Sequence, residues 1–192
     1  GRTTVALVEN MLNGSRKQTL IRPDNTSATT VYDNGSMTST APTGAVATSS
    51  EAPDPRFGLV AGIPSVTVQN TPGGLTLTST SAETAVLLDP NDPFSLVTLT
   101  NTVVTNGRTD QCVYDAATKT FTVTSAGGRT SSTTIDSLGR PVEEHITGLE
   151  GAYATYDGRG RVATVTSGSG GSARTTTFAY NAAGYLASVT DP

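Results

Sequence analysis

The sequence predicts an all-β protein of tandem antiparallel β-hairpins, with little or no helix. Three observations predict it. Charged residues make up only 15% of the 192, against about 25% in an ordinary soluble domain, and Thr, Ser, Asn and Gly carry the polarity instead. Thr is β-branched and suits strands, while Gly, Asn and Ser suit turns. Leu, Lys, Glu and Gln are sparse, and no stretch sustains an apolar period of about 3.6 residues.

The available core is thin. Aromatic residues are 5%, there is no Trp, and apolar residues are 35%. Strand faces of Val, Leu, Ala and the Thr methyl bury too little, taken singly, to outweigh chain entropy. Neighbouring strands on both sides are needed, which points to an array.

Taken in order, residues 1–52 read as divergent β-repeats. Thr30-Val31-Tyr32-Asp33-Asn34-Gly35 gives a strand, a Tyr-Asp pair and a hairpin turn. Residues 53–64, entered at Pro53-Asp54-Pro55-Arg56-Phe57-Gly58, read as a rigid Pro/Gly-rich connection with few ladder hydrogen bonds. Residues 65–110 hold alternating strands at Leu75–Thr78 and Ser95–Val104, the second closed by Asn106-Gly107.

Residues 111–192 carry an internal repeat. Tyr114-Asp115-Ala116-Ala117-Thr118, Ile135-Asp136-Ser137-Leu138-Gly139, Tyr156-Asp157-Gly158-Arg159-Gly160 and Tyr180-Asn181-Ala182-Ala183-Gly184 recur at intervals of roughly 21 to 24 residues. A strand precedes each aromatic residue. In Arg174–Tyr180, alternation puts Thr176, Phe178 and Tyr180 on one side. Asp or Asn opens the turn by bonding the backbone two residues on, and Gly closes it. Thr118 stands where Gly is expected, so that first turn must be of another type. The aromatic residues are expected to stack on one another as a ladder. An isolated hairpin is marginal in water, so four in a row imply a continuous sheet.

These residues resemble the YD-repeat or Rhs family, whose unit is Tyr-Asp, two variable residues, Gly-Arg and an apolar strand. Tyr156-Asp157-Gly158-Arg159-Gly160-Arg161-Val162 matches the unit in full. Ile135-Asp136 through Gly139-Arg140 departs by Ile for Tyr and an inserted Pro141, and Tyr180-Asn181 through Gly184-Tyr185 by Asn for Asp and Tyr for Arg. The resemblance implies an extended sheet that spirals into a hollow shell or a β-solenoid-like array. It implies a structural role in a secreted or cell-surface protein, enclosing or displaying a C-terminal toxin domain. The partners implied are adjacent YD repeats of the same parent chain and an enclosed toxin. Alternatives are adhesion to a surface glycan and assembly into an extracellular fibre. No match to the family's autoproteolytic aspartate site is found. The chain opens at Gly1-Arg2 and closes at Asp191-Pro192 in mid-pattern, and is expected to be a fragment whose repeats continue.

The structural repeat positions are therefore Tyr114, Asp115, Ile135, Asp136, Gly139, Arg140, Tyr156, Asp157, Gly160, Arg161, Tyr180, Asn181 and Gly184. Arg140 and Arg161 are expected to pair with carboxylates of adjacent units, with acidic glycans as the other reading. No enzyme, cofactor or metal is expected. His145, the one histidine, shares a strand face with Glu143, as a solvated face also would. Asp89, Asn91 and Asp92 offer oxygens for calcium, yet Asp-Pro turns form without metal. Gly158-Arg159-Gly160 precedes no helix and so lacks the anion site of a phosphate loop. A net charge of −4 with scattered basic residues argues against nucleic acid. No apolar run is long enough to span a membrane as a helix. Cys112 cannot form an internal disulfide and reads as an inert thiol.

Overall fold

A computed structural model describes residues 2–192. The strands are β1 (Val5–Asn10), β2 (Arg16–Ile21), β3 (Ser27–Asp33), β4 (Ser36–Thr40), β5 (Val46–Asp54), β6 (Gly58–Asn70), β7 (Thr76–Leu87) and β8 (Leu96–Thr105). They continue with β9 (Arg108–Asp115), β10 (Thr120–Thr124), β11 (Thr130–Ile135), β12 (Pro141–Ile146), β13 (Ala152–Tyr156), β14 (Val162–Ser167), β15 (Arg174–Tyr180) and β16 (Leu186–Thr190). The helical content of the described residues is one 3-10 turn, Gly170–Ser172. The sheet order is the chain order, β1 through β16, with each strand beside its sequence neighbours. The expected all-β class, with tandem antiparallel hairpins, holds. Two compact units divide the chain: residues 1–84 with Asn101–Thr109, and Ala85–Thr100 with Asp110–Pro192.

Strict chain order follows from the connections. Eight of them close with one turn, opened at Met11, Arg22, Ala41, Thr71, Ser125, Asp136, Asp157 or Asn181. The amide of the opening residue donates to the carbonyl four residues on, and the amide three residues on donates back to the opening carbonyl. The fourth residue has positive φ each time, from 74° at Gly128 to 91° at Gly184, with Asn25 at 64° in the one case lacking glycine. This is a type I turn followed by a left-handed residue, a short link that leaves the next strand only the place beside the last. Asn34-Gly35 and Asn106-Gly107, with φ of 42° and 80° and of 47° and 80°, make tight hairpin turns with both residues left-handed. The turn at Thr118 is indeed different. Asp115 Oδ1 accepts from the Thr118 amide at 2.8 Å, and Lys119 takes the positive φ of 55°.

Residues 53–64, expected as a connection, lie largely in paired strand. Ala52 faces Ile63 and Glu51 faces Pro64, with register shifts after Ser50 and after Ala52. Bulges of this kind leave residues outside the regular ladder, which is how strands tolerate proline. Asp54 caps the turn, its Oδ1 accepting from the amides of Arg56 at 2.7 Å and Phe57 at 3.0 Å.

Among the described residues no hydrophobic side chain is fully buried. Stabilisation is spread along half-covered faces, each strand shielding its neighbours. In the second unit the two faces differ in chemistry. One is a threonine face, with hydroxyls joined across strands at Thr120–Thr134 (3.1 Å), Thr155–Thr164 (2.6 Å) and Thr166–Thr175 (2.9 Å). The other holds Tyr114 opposite Phe121, Ala154 opposite Val165, and Phe178 opposite Val189. Cys112 belongs to this apolar face, opposite Val123, and burial pushes its thiol pKa up. Its alkylation at pH 7.5 is expected to be at least several-fold slower than in the urea-unfolded chain, checked by mass spectrometry.

Candidate functional site

The site with repeated, specific geometry is the sheet edge bearing the aromatic-Asp turns, and it is built from the turn residue outward. Asp136 opens the turn after β11. Its Oδ1 accepts from the amides of Leu138 at 2.8 Å and Arg140 at 3.0 Å. Its Oδ2 accepts from Arg140 Nε at 2.7 Å and sits 2.6 Å from Nη2. The carboxylate thus closes the backbone turn and grips the guanidinium that follows it. That guanidinium lies over the Tyr156 ring, 4.3 Å from its centroid, and the Tyr156 hydroxyl donates to the Pro141 carbonyl at 2.7 Å.

The next unit repeats the construction. Asp157 Oδ1 accepts from the amides of Arg159 at 2.9 Å and Arg161 at 3.0 Å, and Oδ2 from Arg161 Nε at 2.8 Å and Nη2 at 2.6 Å. Arg161 lies 4.0 Å from the Tyr180 centroid, and the Tyr180 hydroxyl donates to the Val162 carbonyl at 2.9 Å. Arg161 Nη1 reaches on to the Gly184 carbonyl at 3.2 Å. Each arginine therefore ties its own turn to the aromatic residue just before the next.

Two expectations change here. The arginines pair with the carboxylate of their own turn, because the four-residue turn brings both side chains to one side. In these two units the ring is capped by a guanidinium, because register sets Arg161 across from Tyr180. A ring-on-ring contact occurs earlier, where Tyr114 meets Phe121 at 4.5 Å and 33°. Ile135 offers no ring to a cation. At the last turn Asn181 Oδ1 accepts from the Tyr185 amide at 3.0 Å, and Tyr185, in the arginine position, is 73% exposed. Reading by motif missed Arg16, which lies 4.9 Å from the Tyr32 centroid in the first unit. The signal was present: the same number of residues separates Arg16 from Tyr32 as Arg140 from Tyr156.

The electrostatics follow from these bonds. The Arg161 side chain and then its amide hold the Asp157 pKa down to about 2. Asp136 is lowered first by the Arg140 side chain, Asp115 by the Thr118 amide, and Asp24 by the Thr26 hydroxyl. Carboxylates with lowered folded pKa values add stability that is complete above the unfolded value near 4 and is lost as pH falls through the folded values. Acid unfolding is accordingly expected between about pH 4 and pH 2. Circular dichroism from pH 6 downward checks this, and Asp157→Asn should make the fall shallower.

The remaining candidates do not converge. His145 is exposed on β12 opposite Ser132, and Glu143 lies on the same face opposite Thr134. Asp89 Oδ1 accepts from the Asn91 amide at 2.9 Å and Asp92 Oδ1 from the Phe94 amide at 2.9 Å, so both carboxylates cap local turns. No group of three or more His, Cys, Asp or Glu side chains gathers in metal-binding geometry among the described residues. Among the described residues no helix is long and apolar enough to cross a membrane.

Fold and edge together define a class: an array of β-hairpins in chain order, tied along one edge by Asp–Arg–aromatic contacts. Residues 156–192 match the family described as RHS Repeat. No curated protein matches the chain. Among solved structures it aligns with a chain of the "Crystal Structure of TcdB2-TccC3-Cdc42" at 10% identity and a TM-score of 0.30. That alignment covers 96% of this chain and 12% of the other, and an overlay this loose carries no argument.

Proposed function

We propose that the chain is a non-catalytic scaffold segment of a secreted or cell-surface YD/Rhs-repeat protein. In this reading the hairpins extend into a longer spiralling β-wall that encloses or displays a C-terminal effector. The single observation that carries it is the Asp–Arg–Tyr link, which recurs from one unit to the next and spends its charges on holding turns together. Catalysis needs convergent groups facing a substrate, whereas here Asp136, Arg140, Asp157 and Arg161 face one another. Neighbouring repeats are the partners that such an edge serves.

The test is cryo-electron microscopy of the full-length parent polypeptide. Density in which residues 111–192 run as successive strands of a wall around an enclosed domain supports the reading. A separate closed domain bearing its own substrate cleft overturns it.

A further inference from the structure

The apolar face of the second unit carries a feature that the repeat links do not use. A groove of about 240 Å³ lies across β12, β13 and β14, lined by Val142, Glu144, Ala152, Ala154, Tyr156 and Val165 among others. Its floor is low because β13 presents two alanines where its neighbours present valine. The cross-strand row beside this floor is set by register: Glu144 faces Ala152, Ala152 faces Ser167, and Ser167 faces Arg174. An acid and a base thus stand at the two ends of a row whose middle holds only small side chains. Glu144 and Arg174 are both exposed, and neither enters the ion pairs found among the described residues.

The spacing selects an occupant. Three interstrand steps of about 4.8 Å separate the charges by roughly 14 Å. In an extended peptide, residues i and i+4 lie about 13–14 Å apart and point to the same side, with i+2 between them. We propose that the groove binds an extended polypeptide segment laid across the strands. Its basic residue meets Glu144, its acidic residue four positions away meets Arg174, and a small side chain midway between them settles between Ala152 and Ser167. The sign pattern excludes segments of uniform charge, since one end would meet a like charge. This inference rests on the row and the groove, and stands apart from the scaffold reading.

The experiment is an amide NMR titration of the whole chain with the capped peptide Lys-Thr-Val-Thr-Asp, alongside Lys-Thr-Val-Thr-Lys and Asp-Thr-Val-Thr-Asp. The mixed-charge peptide is expected to bind at least fivefold more tightly than either control and to shift the amides of Ala152, Ala154 and Arg174. Glu144→Lys should transfer the preference to the Asp/Asp peptide, and Arg174→Glu to the Lys/Lys peptide. Equal binding of all three to the unaltered chain overturns the proposal, as does binding of none at millimolar concentration. Shifts elsewhere, or self-association that occupies the groove without peptide, also overturn it. The unaltered chain alone decides the matter should either variant fail to fold.

Discussion

Tyr180→Ala is expected to destabilise the chain by about 2–3 kcal/mol. Tyr180→Phe should cost about 0.5–1.5 kcal/mol. The alanine variant removes a half-buried ring from the apolar face, the surface on which the Arg161 guanidinium lies, and the hydroxyl bond to Val162. The phenylalanine variant removes only that bond. Equilibrium urea unfolding of the three proteins measures both differences. The order matters more than the absolute values. Equal losses would mean that the hydroxyl bond is the whole contribution, leaving the cation-on-ring contact without weight. No loss from either would remove the link between turns from the account.

Gly160→Val is expected to cost about 1–3 kcal/mol, a matched Gly158→Ala to leave stability within about 0.5 kcal/mol. The two glycines sit in the same turn but do different things. Gly160 has φ of 79°, which a β-branched side chain resists, and an added Cβ would lie 3.3 Å from Arg140 Nη1. Gly158 has open space around its added Cβ and is not among the residues of positive φ. Strain at Gly160 therefore strikes the turn and the arginine reaching over it together. Urea unfolding again gives the values, and the difference between the variants is the informative quantity.

How much could be read from residues alone follows from which features are local. Tyr156-Asp157-Gly158-Arg159-Gly160 declares its own turn, because Asp capping and a left-handed glycine are properties of five consecutive residues. The strand Arg174–Tyr180 was readable to the residue, since alternation marks its faces. What Arg161 touches depends on the register between β14 and β15, where Thr164 faces Thr177 and Ser167 faces Arg174, and no motif announces that register. The ring ladder was expected for the same reason: the rings recur, but a guanidinium comes to lie over Tyr156 and over Tyr180 only once strands are paired. At residues 53–64 the prolines suggested a break in pairing. Two bulges absorb them, and the ladder resumes on either side. The groove over Ala152 and Ala154 was invisible in sequence, because small residues in a strand mean nothing until valines flank them across the sheet.

Nuclear Overhauser contacts between strands test the whole account most directly, since everything rests on hairpins that pair in chain order. The account requires Val165 to show cross-strand contacts on both sides, to Ala154 within its hairpin and to Thr176 in the following one. Thr177 should likewise meet both Thr164 and Thr190. Contacts on both sides of each strand are the predicted result. Contacts within hairpins alone, with none from Val165 to Thr176, would show separate hairpins and contradict it.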